Sequence, residues 1–412
     1  MLLLRYLPET AAFLLFFLIS GQIGGAFAIV AEFALVGLLL VTHVRTAIET
    51  VLRWWPLLLT ALLAVASALW SPVPDVSARY GAQLLFTVFV GVFLARLMPA
   101  RRWLIVFFLS TFVFCLASIA SRRTGISDIG MVLIGLTGSK NAMSHEAQML
   151  FMSAFAVLLL NGVSSRLRLL ALAALPVGAG LVVITNSATG ALLAVAGVAV
   201  LCVLWIGERV TPGLRLLTLA FVAALFVPIL MLAPEIGAIR DHFLYETLNK
   251  DPTLTGRTLL WARADDLIAH KPFLGYGYQS IWMGDSFETI GLKRLTGIED
   301  GRTFHFHNTF RQVAVDTGLL GLAIFAATLL FTLLAGLMQA LMRPNAATSF
   351  FFASFALAVA TAFTDTILQP FLIQTVIIYS CAVYAFARPE PVAQTAPNTQ
   401  PISRFAAAAR PT

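Results

Sequence analysis

Charge is what this sequence most lacks. Asp, Glu, Lys and Arg together make up 11% of its 412 residues, where a water-soluble domain carries about 25%, and that shortage excludes a soluble enzyme. Cysteine is nearly absent as well. Cys115, Cys202 and Cys381 lie far apart inside apolar runs, so they read as small buried hydrophobes and not as disulfide halves or zinc ligands. The 28 Gly and 18 Pro show no period, which excludes a collagen-like chain, and the composition is too apolar for a disordered one.

What is there is hydrocarbon: 59% of the residues are hydrophobic, and the expected partner is the lipid bilayer. The net charge of +7 is no argument for nucleic acid, because in a membrane chain the place of each charge matters more than the sum. A span needs about 20 apolar residues to cross ~30 Å of hydrocarbon. Runs of that kind cover 10–24, 26–42, 55–70, 80–98, 103–120, 147–162, 168–185, 188–206, 214–233, 317–341, 347–366 and 368–387. Gly21, Gly24 and Gly25 mark either a tight turn between the first two or a kink within one long helix.

With the N-terminus inside, twelve spans place 14 basic residues on the inner side, among them Arg5, Arg45, Arg53, Arg96, Arg101, Arg102, Arg209 and Arg343. The short outer loops hold only Arg79, Arg122, Arg123 and Lys140, so the positive-inside rule gives a clear orientation. The segment 234–316 carries the other 9 basic residues, 11 of the 20 acidic residues and 4 of the 6 histidines. It reads as an extracytoplasmic cap, since long loops translocate largely regardless of charge. The expected fold is therefore all-α, a polytopic transmembrane helix bundle of twelve spans with one large loop containing amphipathic helices. Residues 1–233 hold spans one to nine and 317–387 spans ten to twelve. The Pro-, Ala-, Thr- and Gln-rich 388–412 reads as a disordered cytoplasmic tail.

Within the cap, Thr255 is placed to N-cap a helix from Gly256 to His270, with Leu259, Leu260, Ala264, Leu267 and Ile268 on one apolar face that would lie along the membrane surface. Arg257 falls in its first turn, where free N–H groups and the helix dipole favour an anion; otherwise it is a solvated arginine or one paired with Asp265 or Asp266. The run Pro272-Phe273-Leu274-Gly275-Tyr276-Gly277 fixes a turn. Next comes His305-Phe306-His307-Asn308. No carboxylate cluster at a recognised spacing accompanies the H-x-H pair, so it reads as a base, with Asn308 or a carboxylate orienting the ring, and no metal is assigned. Tyr276, Tyr278 and Trp282 either stack on sugar rings or anchor the cap at the membrane surface.

These residues carry a resemblance. Gly256-Arg257 to Trp261, then Pro272, Gly275 and Gly277, then His307-Asn308, then Thr317-Gly318-Leu319-Leu320-Gly321 resemble, in order and position, the O-antigen ligase and O-antigen or exopolysaccharide polymerase superfamily. The motifs cover about residues 180–340, and the twelve-span plan is similar throughout. Thr137-Gly138-Ser139-Lys140-Asn141 resembles the Lys-Asn motif of the polymerase branch. Where many members carry Ser-Arg at the outer mouth of a span, this chain reads Thr185-Asn186-Ser187. Phosphate contacts would then fall to Arg122, Arg123 and Lys140.

The resemblance implies a bacterial inner-membrane enzyme whose loop 234–316 is periplasmic and catalytic. Its reaction is an inverting, metal-independent glycosyl transfer needing no cofactor. The donor is an undecaprenyl-pyrophosphate-linked glycan. The acceptor is a sugar hydroxyl of the growing glycan in a polymerase, or of lipid A core in an O-antigen ligase. His307 and Arg257 are the catalytic candidates; Lys140, Asn141, Arg122, Arg123, Tyr276 and Asn308 are the substrate-binding candidates. Polysaccharide export or chain-length proteins are the partners such a polymerase would have. A lipid-linked glycan transporter or flippase is the reading from another class, and Glu32 and Asp365 are the acidic residues that it would use within spans, unless Asp365, near the outer turn before Gln369-Pro370, is simply a polar residue at the mouth. On the orientation set by the arginines, a reporter fused after Gly284 reads out as extracytoplasmic and one fused after Pro344 as cytoplasmic; a cytoplasmic signal at Gly284 overturns the topology.

Overall fold

The computed structural model describes residues 6–21, 25–127, 130–185, 187–206, 210–221, 223–225, 227–228, 254–297, 304–343 and 345–387. The expected tail 388–412 and the first part of the cap, 234–253, lie outside the described residues.

Helices occupy the apolar runs. In chain order they are α1 (Leu7–Ser20), α2 (Gly25–Thr42), α3 (Val44–Ala66, followed by a 3-10 turn Ser67–Leu69), α4 (Pro74–Leu97), α5 (Ala100–Ser121), α6 (Lys140–Leu159), α7 (Ser165–Ile184), α8 (Ala188–Ile206) and α9 (Pro212–Leu225). The polar segment contributes α10 (Leu254–His270), the single turn α11 (Ser280–Met283) and α12 (Phe287–Thr296). After it come α13 (Thr309–Met342), α14 (Ala346–Thr361) and α15 (Ile373–Phe386). Among the described residues, seven helices are long and apolar enough to cross a membrane: α2, α4, α5, α6, α7, α13 and the stretch Val44–Leu69. The chain is a multi-pass helical membrane protein. Five further apolar helices are shorter.

The structure corrects several expectations. α1 ends at Ser20 and α2 starts at Gly25, so of the two readings of this stretch two separate helices is the one that holds. The chain is not wholly α: Thr124–Ser127 and Gly130–Leu133 pair as an antiparallel ribbon, too short to show a period-two pattern in sequence. α6 begins at Lys140, seven residues before the apolar run at 147, because Ser139 caps it by accepting the Ala142 N–H at 3.1 Å. Glu146 is thereby carried into a buried helix. α14 ends at Thr361, which leaves Asp365 in a turn and not in a span.

Small residues bring the spans together. A Cβ on Gly81 of α4 would stand 2.7 Å from the Val65 backbone, and one on Gly91 would stand 2.7 Å from the Val376 carbonyl of α15. Backbones that close allow Ser380 to donate to the Gly91 carbonyl at 2.8 Å, the packing that replaces a hydrophobic driving force inside lipid. Phe16, Trp103, Phe107, Phe350 and Phe351 join α1, α5 and α14.

α13 breaks at Gly318, whose φ of 69° and ψ of −171° leave the helical region. A break strands the carbonyls before it and the N–H groups after it, and the turn Pro272 to Gly277 takes them up. Tyr276 and Gly277 donate to the Val315 and Asp316 carbonyls at 2.9 and 2.8 Å, while Leu319 and Leu320 donate to the Pro272 and Phe273 carbonyls at 2.7 and 3.3 Å. The other face of the turn docks on the bundle. Trp70 donates its indole N–H to the Leu274 carbonyl at 2.9 Å, and Ser77 donates to the Tyr278 carbonyl at 3.0 Å. Gly275 has φ +66°, and a Cβ there would sit 2.5 Å from the Val315 carbonyl. Backbone cannot yield to it, so Gly275→Ala costs about 2 kcal/mol or more. It lowers the thermal unfolding midpoint of the detergent-solubilised protein, whereas Gly291→Ala, with open space around the new methyl, leaves the midpoint unchanged or raises it slightly.

Candidate active site

The cap has its own small core. Leu260, Ala264 and Leu267 of α10 pack with Ile281, Trp282, Leu292, Phe306 and Val315. The buried face is thus covered by protein, and Leu259, expected on it, is 52% exposed. α10 already includes Thr255, so that residue lies in the first turn and not at the cap. Tyr278 and Trp282 are buried at 4% and 1% exposure, which removes both as sugar-stacking residues. Tyr276 stays half-buried with Lys271 Nζ 4.5 Å from its ring centroid.

The histidine segment hangs between this core and α13. Trp261 donates its indole N–H to the Phe306 carbonyl at 2.9 Å, and Gln312 Oε1 accepts the Phe306 N–H at 3.2 Å. Asn308 caps α13 through the Arg311 N–H at 3.0 Å, and its Nδ2 donates to the Phe363 carbonyl at 3.0 Å. Both ends of that buried side chain are engaged, so Asn308 works as a brace and does not orient the His307 ring. Thr309 completes the clamp: its N–H donates to the Ala362 carbonyl and its hydroxyl to the Asp365 carbonyl, both at 2.8 Å.

That clamp brings Asp365 to the histidines. His307 Nδ1 lies 3.5 Å and His305 Nε2 3.8 Å from Asp365 Oδ1, with the two rings 4.3 Å apart at 72°. These distances are long for hydrogen bonds, and the group is held electrostatically. His305 Nδ1 accepts the His307 N–H at 3.2 Å, which puts the His305 ring proton on Nε2, toward the carboxylate. His307 has φ 50°, a left-handed conformation uncommon for a side-chain-bearing residue and typical of functional strain.

Burial pushes the His305 ring down to about 4, with His307 and Arg257 adding repulsion. Burial opposes ionisation of Asp365, yet the facing His307 ring and the Thr366 N–H, which donates to Oδ1 at 2.8 Å, hold the carboxyl below its usual range. Among the described residues, His305, His307 and Asp365 are the group of three with ligand atoms close enough to hold a metal ion, all within 4.8 Å of one another.

Arg257 is half-buried in the first turn of α10 and close enough to act on His305 electrostatically. The acids that sequence offered it are taken: Asp265 holds Arg311 in a two-pronged pair at 2.8 and 3.1 Å, and Asp266 faces Arg263 at 3.8 Å. Lys140 and Asn141 open α6, and His145 in the next turn feels the Asp365 charge. Arg122 and Arg123 are exposed at the end of α5. Sequence reading missed Asp365 as part of this centre, and with it His145 and Gln312. The one signal was an acid beside the polar Gln369-Pro370 mouth.

The chain is similar to known proteins over much of its length. Residues 170–326 match the family model described as O-antigen ligase, a stretch that contains Arg257 and His307 and stops short of Asp365. The chain is also similar to the exopolysaccharide production protein ExoQ of Rhizobium meliloti (strain 1021), 27% identical over 327 residues that cover 78% of this chain and 74% of that protein. Both likenesses point to the O-antigen ligase and polymerase family, and the apolar helices make the chain a multi-pass membrane protein.

Gln312 joins the cap to α13. Its Oε1 accepts from the Phe306 amide and the Trp282 indole, and its Nε2 donates to Asp316 at 2.9 Å. Gln312→Leu leaves those buried groups unpaired at a cost of about 2–4 kcal/mol. The expected result is a lower unfolding midpoint together with weaker transfer, and unchanged values of both overturn the bracing role.

Proposed function

We propose that the chain is an inverting glycosyltransferase that moves a glycan from undecaprenyl pyrophosphate to a sugar hydroxyl in the periplasm and so extends an exopolysaccharide or O-antigen. The single observation that carries the reading is the Asp365–His307 pair beside Arg257. With its Nδ1 proton held toward the carboxylate, His307 presents Nε2 as a proton acceptor, the arrangement a general base needs.

In the step, the acceptor O–H bond breaks and its proton goes to His307 Nε2. The acceptor oxygen forms the new bond to the anomeric carbon. The carbon–oxygen bond to pyrophosphate breaks on the opposite face, and the electron pair leaves with the lipid pyrophosphate. Arg257 stabilises that growing charge with two parallel donors, and Lys140 at the start of α6 is a second cation for it. No metal or cofactor has a part in this route.

The five short apolar helices are taken as spans, which makes twelve. Helices of 14 to 16 residues reach about 21–24 Å, most of the ~30 Å of hydrocarbon, and a bilayer thins locally around a short span. The name of the Rhizobium protein favours the exopolysaccharide product; the description of the family model keeps attachment to lipid A core as the second reading. The glycan that disappears from a deletion strain separates the two. Glycan joining by purified protein in detergent separates both from a transporter.

His307→Ala is expected to lower the transfer rate about 10²- to 10⁴-fold with donor binding little changed. Arg257→Ala weakens both binding and turnover, and Arg257→Lys recovers only part, because a point charge lacks the guanidinium fork. Transfer persists in EDTA. Normal polymer from a well-expressed His307→Ala protein, or activity lost to EDTA and restored by a divalent ion, overturns the mechanism.

A further inference from the structure

Two loops that meet only in the folded chain supply the centre: His305 and His307 precede α13, and Asp365 follows α14. We propose that His305 Nε2, His307 Nδ1 and Asp365 Oδ1 also form a binding site for a divalent transition-metal ion, zinc above all, whose occupation switches the transferase off. The proposal rests on the base reading for its regulatory half and on geometry alone for its binding half.

The geometry suits the ion. Zinc with ligands at about 2.0–2.1 Å in a tetrahedron sets ligand atoms about 3.4 Å apart. The carboxylate oxygen already stands 3.5 and 3.8 Å from the two ring nitrogens, and all three atoms lie within 4.8 Å. Two imidazoles and one carboxylate suit zinc, copper or nickel and are a poor set for magnesium or calcium, which prefer oxygen ligands. His307 Nδ1 is buried with no partner in good hydrogen-bond geometry, so a ligand atom waits there. The fourth tetrahedral position is left for water. Binding gives up the 3.2 Å bond from the His307 N–H to His305 Nδ1, one neutral hydrogen bond worth about 1 kcal/mol. The ring proton of His305 then moves to Nδ1 and Nε2 turns to the metal.

Inhibition follows from the tautomer. The ion takes the place of the proton that His307 Nδ1 directs at Asp365. A neutral imidazole bound to metal through Nδ1 carries its proton on Nε2, and a nitrogen that already bears a proton cannot take one from the acceptor hydroxyl. Metal and catalysis therefore compete for the same ring.

The test uses the full chain in detergent, stripped with chelator. Co2+ serves as the probe, because its visible absorption reports tetrahedral nitrogen and oxygen ligation, and Zn2+ as the competitor. The expected results are one Co2+ per chain displaced by Zn2+, at least tenfold weaker binding in His305→Ala and in Asp365→Asn, and Zn2+ inhibition of wild-type transfer that chelator reverses. Asp365→Asn keeps the side-chain shape and guards against a folding defect, and each variant's unfolding midpoint is compared with wild type. No Co2+ binding, or binding equal in both folded variants, overturns the site. If that happens while His307→Ala still abolishes transfer, only the metal proposal falls. If chelation itself stops transfer and Zn2+ restores it, the base reading falls and the metal becomes part of catalysis.

Discussion

The break in α13 at Gly318 is the constraint on which the rest of the cap depends. A helix that simply continued would satisfy its own backbone and offer nothing to the segment before it. By breaking, it leaves the Val315 and Asp316 carbonyls and the Leu319 and Leu320 N–H groups to be paired from outside, and the Pro272 to Gly277 turn pairs all four. Inside a bilayer-facing bundle an unpaired backbone group costs several kcal/mol, so break and turn hold each other in place. α10 enters that turn with its position set, and the Gln279 N–H reaches Asp316 Oδ1 at 3.2 Å. The soluble-like segment is thereby fastened to a span at its centre as well as at its ends.

From that fastening the histidine segment gains a fixed frame. One side of it is held by Trp261 and Gln312 through the Phe306 peptide, the other by Asn308 and Thr309 through the 362–366 turn. Between the two anchors, Phe306 and Asn308, lies only His307, and it accepts a left-handed backbone. Strain of this kind costs about 1–3 kcal/mol and persists only when the surroundings over-determine it. Here four side-chain hydrogen bonds to main-chain atoms do so, and the return is a ring aimed at Asp365 from a segment with no regular structure of its own.

Much of the bundle was legible because the physics that writes it is one-dimensional. A run such as 168–185 must be apolar along its whole length to meet lipid, and its helix came within a few residues of expectation as Ser165–Ile184. Helix starts were less legible where polar residues lie inside the bundle. Ser144 and Glu146 are buried, and hydropathy alone placed the start of α6 after both, at 147. Arg257 and His307 could be named as candidates because each stands in a local pattern, a helix start and an H-x-H-N run. Asp365 could not be found that way. It is 58 residues from His307 in sequence, and its part depends on Thr309 and Asn308 gripping a turn between two later helices, which no local spacing encodes.

The same distinction explains why the matched family stretch and the chemical centre have different limits. Residues 170–326 hold the helix, the turn, the histidines and the broken span, all linked by contacts within that stretch. Two pieces outside it adjoin the centre, and both are polar residues at the ends of apolar helices: Asp365 after α14, and His145 in α6, which feels the Asp365 charge. Spans that cross in alternation return their ends to the same face, so residues far apart in the chain meet there without any long connection. A membrane bundle can therefore keep its reacting groups on short turns at one end while the apolar lengths between them answer only to lipid and to packing. What those lengths must do for the site is limited to arriving at the right height, and the small residues at Gly81 and Gly91, by letting α3, α4 and α15 touch backbone to backbone, set that height more rigidly than larger side chains would.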